Sequence, residues 1–305
     1  MKVLIGVDGS RASEGAVELT GRLLSTLDSE VTLYYSPPLS RLRGVDDSNP
    51  ALLEAMRQSL TEVVFARAKD HLPESLRARA TTIAGTRKAS KGILLAAAHS
   101  GPDMIAIGAT GASRIAKMLL GSVSRAVVHG AGVPVLVARV SERVRGPLRV
   151  LLAFDREGIS DDAIQFAKRL AWPPDSLGYA VHVKESIFHG PLSDWVVGEM
   201  PQIRPEPLVQ AWVDEEEREA KAAEQELKAV CEALPPPFRG IQPVLLEGHP
   251  GERILEFIET NKIDLVIIGA RVQSPVERVL TGSTSEYVLA HAGCSALIVP
   301  HYEAP

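Results

Sequence analysis

The chain is written twice, and that duplication restricts its possible folds more than any other feature. Residues 91–108 lie over residues 252–269, an offset of 161 (269 − 108). The same offset carries Asp103 onto Asp264, Gly121-Ser122 onto Gly282-Ser283 and Gly132 onto Gly293. Nearer the start of each copy the offset is 147 (155 − 8), taking residues 3–8 onto 150–155 and Ser36 onto Val183. The second copy therefore carries 14 extra residues (161 − 147) in its middle, which the Pro-, Trp- and acid-rich stretch at 189–219 best accommodates. Two copies within 305 residues read as two domains, 1–141 and 147–305, each long enough to bury its own core.

Each copy alternates short apolar runs with amphipathic stretches. Strands are predicted at 2–8, 30–35, 77–83, 104–108 and 134–140, and again at 148–155, 177–183, 239–245, 264–269 and 295–300. The first helix starts near Ser10, a good N-cap, and sets Ala16, Thr20, Leu23 and Leu27 on one face. The second opens at Asn49-Pro50 and repeats Leu53, Met56, Leu60 and Val63 at helical spacing. Its counterpart, about 209–234, turns Ala223, Leu227, Val230 and Leu234 inward. Strands alternating with helices, and apolar almost throughout, imply an α/β fold: two tandem parallel sheets covered by helices on both faces. In such sheets a ligand binds outside the carboxyl ends of the strands, where strand order reverses.

Composition narrows the function. A net charge of −5 argues against general nucleic-acid binding. Arg139, Arg143, Arg145 and Arg149 form the one basic cluster, read as a solvated interdomain linker rather than a polyanion site. The acidic run at 214–217 reads as a solvated helix face rather than a partner surface or ion site. No apolar run is long enough to cross a bilayer, and the N-terminus passes straight into strand-like sequence without a secretory leader. Cys231 and Cys294 lack CxxC spacing and read as reduced core thiols, and the eight histidines show no ligand spacing.

The chemistry-bearing motif follows the fourth strand: Gly108-Ala-Thr-Gly111, nine residues, then Gly121-Ser122 opening a helix. Glycines at a strand exit admit φ > 0 and close approach to a ligand. A helix beginning at Gly-Ser offers N–H groups, a hydroxyl and the positive end of the dipole, which suits phosphate. Ser122 and Ser124, with the N–H of Val123, are the expected phosphate partners, with simple N-capping as the other role open to them. Asp8 ends the first strand. If strands one and four are neighbours it faces the same crevice on the nucleoside side, since beside phosphates it would repel them. Capping of the helix near Ser10 is its alternative role. Arg114 and Lys117 lie within the nine-residue interval, either reaching phosphates or standing as exposed charges.

On these residues the chain resembles a tandem universal stress protein, two family domains covering nearly its full length. Nucleotide-binding members carry Gly-x2-Gly-x9-Gly-(Ser/Thr), matched by Gly108, Gly111, Gly121 and Ser122. The family Asp at the end of strand one matches Asp8, Gly6 can line the base pocket through its backbone, and the end of strand two near Ser36 would line it as well. The resemblance implies an adenine-nucleotide alpha-hydrolase-like, doubly wound sheet of five parallel strands in each half. It also implies bound ATP or AMP, with or without Mg2+, cytoplasmic residence and a stress-linked regulatory role. Family domains pair through their last strands, so the two halves are expected to pair with each other or the chain to form a homodimer.

The second copy keeps Asp155, Gly269, Gly282 and Ser283, but Val272 replaces the second glycine. A β-branched residue resists φ > 0 and would push an isopropyl group toward a ligand. The loop there is thus expected to be rearranged or the site weakened, leaving that half mainly structural. Pyrophosphatase, synthetase and Walker-type phosphate signatures are absent, and no lysine is placed by the motif for a γ-phosphate. The leading expectation is a nucleotide-binding regulator with little or no catalysis. An interaction scaffold with a vestigial site, using the insertion around Trp195 and Trp212, and a slow ATPase or autophosphorylating protein with Ser122 as acceptor are the alternatives.

Overall fold

Ten strands form one sheet in the order β3-β2-β1-β4-β5-β10-β9-β6-β7-β8. This computed structural model describes residues 1–24, 29–37, 50–110, 120–140, 146–156, 158–185, 206–239, 241–272 and 282–302. The first half supplies β1 (Lys2–Gly6), β2 (Glu30–Tyr35), β3 (Thr81–Ala84), β4 (Met104–Gly108) and β5 (Val135–Ala138). The second supplies β6 (Arg149–Phe154), β7 (Leu177–Lys184), β8 (Val244–Glu247), β9 (Leu265–Val272) and β10 (Ser295–Tyr302). Within each half all pairings are parallel. The halves join through one antiparallel pair, β5 with β10, in which Val137 lies opposite Ala296 and Leu136 opposite Leu297. The last-strand pairing implied by the resemblance therefore occurs inside a single chain.

The register reproduces the repeat. Tyr34 pairs with Ile83 and Val181 with Val244, so the offset is 147 on the second strand (181 − 34) and already 161 on the third (244 − 83). The 14 extra residues thus enter between β7 and β8. Of the expected insertion, 189–205 lies outside the described residues, and 206–219 opens a 28-residue helix.

Nine helices are described: α1 (Arg11–Leu23), α2 (Pro50–Asp70), α3 (Glu74–Arg77), α4 (Ala89–Ser100), α5 (Ser122–Gly130), α6 (Asp161–Arg169), α7 (Glu206–Ala233), α8 (Pro250–Asn261) and α9 (Ser283–His291). Alternation along each strand sends neighbouring residues to opposite faces. On one face Ile5, Leu136, Leu152 and Leu297 pack with Ala16 of α1, Ala163 of α6 and Leu234 just beyond α7. On the other, Leu4, Val135, Leu151 and Ile298 pack with Ile93 of α4, Val127 of α5, Ile254 of α8 and Val288 of α9. Both cores run unbroken across the β5–β10 seam.

Three sequence expectations change. The apolar repeat of α2 faces outward: Met56, Leu60 and Val63 are exposed, and the helix packs through Val64, Phe65 and Ala68 one step round. The third strand of each half starts later than expected, because Glu74–Arg77 is helical and Pro236–Phe238 forms a 3₁₀ turn. Nor is the arginine cluster wholly solvated. Arg139 is buried and donates to Leu289 O (2.9 Å), and Arg149 donates to Asn261 O (2.9 Å). Arg143 and Arg145 lie outside the described residues, as does Leu27, which the sequence had set on the first helix; that helix ends at Leu23. No helix among those described is long and apolar enough to cross a membrane.

The repeated aspartates act as fasteners. Asp103 accepts from the Lys2 backbone N–H (2.7 Å) and Asp264 from that of Arg149 (2.9 Å), each tying the start of one central strand to its neighbour. Asp103 also accepts from Arg169 of α6 (2.6 Å), a link between the halves. Burial alone would raise the Asp103 carboxyl, but the Lys2 N–H, the Arg169 guanidinium and the N-terminal charge together hold it below its ordinary value. A depressed folded value stabilises at neutral pH, and that stabilisation is lost as pH falls through the carboxylate range. Asp103→Ala is expected to cost about 1–2 kcal/mol in urea unfolding at pH 7, and the difference from the parent should vanish in acid. Both cysteines are free and buried. Burial pushes the Cys294 thiol up to about 12 and raises Cys231 as well. Neither should react with a disulfide reagent in the native protein at pH 8, and both should react on unfolding.

Candidate functional site

The order 3-2-1-4-5 in the first half reverses between β1 and β4, which pair directly with Gly6 opposite Ile107. The exits of these strands therefore share one crevice, as the sequence reading required. Asp8 is exposed there, two residues past β1. Its Oδ1 accepts from Ser10 N (3.0 Å), shaping a turn in which Gly9 has φ +77°. The helix cap itself is Ser10, whose Oγ accepts from Ser13 N (3.2 Å). The Ser13 hydroxyl, unremarked in the sequence, accepts in turn from Asp8 N (3.3 Å). Asp8 thus supports the start of α1 while standing at the crevice. Burial, and then the Asp8 carboxylate, push the Tyr35 phenol up, which places the end of β2 beside the same carboxylate.

Ser36 follows β2, and its hydroxyl donates to Arg87 O. Burial pushes the phenol of Tyr34 up, with Ser36 and Arg87 opposing that shift. That phenol fills the space between Gly85 and Gly92, where a Cβ would lie 1.9 or 1.8 Å from its oxygen. Gly6 has a related role, since a Cβ there would lie 2.7 Å from Ile93 Cδ1.

The loop glycines are required for reasons other than the expected one. Gly108 and Gly121 do not adopt positive φ. A Cβ on Gly108 would lie 2.7 Å from Ala12 C and 2.8 Å from Ser13 N, so its bareness lets the first turn of α1 close on the end of β4. Gly121 is extended (φ −68°, ψ 154°), donates to Ala109 O (2.7 Å), and would bring a Cβ to 3.1 Å from that oxygen. Ser124, expected as a phosphate partner, is held by the end of β4. It is buried, and its hydroxyl donates to Gly108 O (2.7 Å) and Ala109 O (3.1 Å), stapling α5 onto the strand. Ser122 and Val123 are exposed at the helix start, and Gly121 provides no side-chain cap. Their N–H groups are those left over by helix geometry, with the first intrahelical bond running from Arg125 N to Gly121 O. Gly111, Arg114 and Lys117 lie outside the described residues.

The second half follows the same plan with a different exit. Asp155 Oδ1 accepts from Ile159 N (3.0 Å), and Gly269 admits α6 as Gly108 admits α1, a Cβ there falling 2.2 Å from Ile159 O. Beyond Gly269, however, β9 continues as strand to Val272, paired with β10 as far as Tyr302. Val272 is extended and buried in the core, so its isopropyl group does not project at a ligand as the sequence reading allowed. The loop that follows, 273–281, lies outside the described residues. Ser285, the counterpart of Ser124, donates within its own helix start to Gly282 O (2.9 Å). A cavity of about 510 Å³ lies at this exit, lined by Asp155, His182, Lys184, Arg271, Ser283 and Thr284 among others.

Comparison with known proteins places the chain. The sequence profile of the universal stress protein family matches residues 1–139 and again 148–300. A universal stress protein of Mycolicibacterium smegmatis is 26% identical over 306 residues, covering 97% of this chain and 96% of that protein. One from Methanocaldococcus jannaschii is 30% identical over 152 residues, covering 50% of this chain and 81% of the relative. The crystal structure of a universal stress protein from Archaeoglobus fulgidus superposes with a TM-score of 0.61 at 22% identity, covering 98% of both chains.

The contacts at Gly108 are with backbone, which has nowhere to move. Gly108→Ala is therefore expected to lower unfolding free energy by about 1–3 kcal/mol. Measured by denaturant titration, an unchanged midpoint would show that the close approach of α1 to β4 is not needed.

Proposed function

Because the chain belongs to the universal stress protein family, we propose that its first half binds an adenine nucleotide and that the protein is a cytoplasmic, nucleotide-responsive stress regulator rather than an enzyme. The observation carrying this reading is the start of α5, where the N–H groups of Ser122 and Val123 follow an N-cap, Gly121, that makes no side-chain cap bond, at the β1–β4 switch point. The residues fit a phosphate end. Gly121 keeps the approach bare, Ser122 adds an exposed hydroxyl, and the helix dipole favours negative charge. Gly108 and Ser124 hold this platform in place, and Gly111 belongs to it by its motif position. Asp8, exposed beside Tyr35, suits ribose hydroxyls or a base amino group, with Gly6 and Ser36 on the same side. ATP and AMP share base, ribose and α-phosphate, so both are ligands on this reading.

Added ATP should raise the melting temperature, since a ligand that favours the folded state stabilises it by mass action. Ser122→Glu separates binding from folding: a carboxylate at the first helical position suits the dipole but repels phosphate. That variant should melt at or slightly above the parent's temperature and lose the ATP-induced shift. An identical shift in parent and variant would remove α5 from the account.

A further inference from the structure

We propose that the outward face of α2 is an interface between two copies of this chain, which pair there antiparallel about a twofold axis near residue 58. The inference stands apart from the nucleotide reading. It begins with the stripe that the sequence assigned to the core. Leu52, Met56, Leu60 and Val63 are between 42% and 60% exposed. At about 100° per residue they fall within about 80° of one another round the helix, a single line three turns long. Among the described residues, no other helix exposes more than one large apolar side chain. The charged residues between Leu52 and Val63 lie off this line. Arg57 donates to Gly85 O (3.2 Å) past the end of β3 and pairs with Glu54 (3.6 Å), and Glu62 accepts from Gln58 (3.0 Å).

The fold itself does not require this stripe, as the duplicate shows. In α7 and just beyond it, the inward residues Ala223, Leu227, Val230 and Leu234 match Thr61, Phe65, Ala68 and Leu72 at one offset, 162 (223 − 61). That offset turns Leu52, Met56, Leu60 and Val63 into Asp214, Arg218, Ala222 and Gln225. The same place in the architecture is thus served by a largely polar outer face in the second half. The apolar face of α2 answers a different need, and a contiguous exposed apolar surface rimmed by polar groups marks a site of association.

A second copy fits this surface by symmetry. Opposed antiparallel, Leu52 of one copy meets Val63 of the other, and Met56 meets Leu60. The two pairs centre on 57.5, (52 + 63)/2, and 58, (56 + 60)/2, so a single axis serves both. Each contact then occurs twice, as a closed twofold interface requires. Ser59, exposed beside the axis, carries a hydroxyl that both donates and accepts, so it can meet its own copy. No charge on the line opposes a like charge, and the antiparallel arrangement sets opposite ends of the two helix dipoles side by side. The 21 residues of α2 give a face about 31 Å long and about 10–12 Å wide. That area belongs to the small end of specific interfaces, so the pair should form and dissociate with concentration.

Sedimentation of the full-length protein from about 1 to about 500 µM tests the pairing. The mass should rise from one chain toward two across that range. Met56→Glu and Leu60→Glu, both at exposed positions, should each weaken association by about tenfold or more without lowering the melting temperature. Gln225→Glu, at the matching place on α7, should leave association unchanged. Ser59→Cys reads the geometry, because the two thiols would stand about 3 Å apart along the helix axes. Mild oxidation should link two such chains, since Cys231 and Cys294 are buried, and Gln225→Cys should give no linked pair. The proposal is overturned if the mass remains that of one chain throughout, or if a dimer persists in folded Met56→Glu and Leu60→Glu. It is equally overturned if Ser59→Cys does not link. Should either glutamate variant unfold, the Ser59→Cys chain decides.

Discussion

The antiparallel pairing of β5 with β10 is the contact on which the rest of the molecule depends. It turns two five-stranded sheets into one of ten strands and lets both apolar layers run through the junction. A fifth strand left unpaired would expose a row of backbone donors and acceptors, which invites association with other chains. Here the second copy covers it. Side-chain links reinforce the seam: Arg139 to Leu289 O, the Arg139 N–H to Ser295 Oγ at 3.1 Å, His129 against Glu286 at 3.4 Å, and Arg169 to Asp103. A buried arginine is costly unless its donors are met. Its position at the joint marks where the two copies must fit each other.

With the scaffold shared, the halves differ among the described residues at the exit of the fourth strand as well as between their second and third strands. In the first half β4 stops at Gly108, and Ser124 and Gly121 bond back to the strand end, drawing the start of α5 down over it. In the second half the strand runs three residues further, Val272 enters the core, and Ser285 turns to its own helix instead. Burying a valine side chain is worth about 1.5–3 kcal/mol, and an extended conformation suits its branching. Val272 thus suits the strand it extends, and Arg271 beside it lines the cavity at this exit.

The duplication and the α/β class were legible in the chain, because periodicity and spacing encode them directly; the last-strand pairing came only from the family resemblance, and the β1–β4 adjacency was a condition that the sheet order meets. The site was legible in its positions but less so in its reasons. Gly108 was recognised as special, yet what it admits is the backbone of α1, a contact far off in sequence. Ser124 was recognised as a polar residue at a helix start, yet its hydroxyl points back to the strand. The outward face of α2 escaped for a similar cause. Met56, Leu60 and Val63 have the spacing of a core stripe, and only the packing of Val64 and Phe65 shows which way the helix is turned.

The central claim is that the start of α5, held at the exit of β4 beside β1, receives the phosphate end of an adenine nucleotide. A crystal structure of the full chain grown with ATP tests it most directly. The account expects phosphate density against the N–H groups of Ser122 and Val123. An exit without such density, filled by the protein's own side chains, would contradict it.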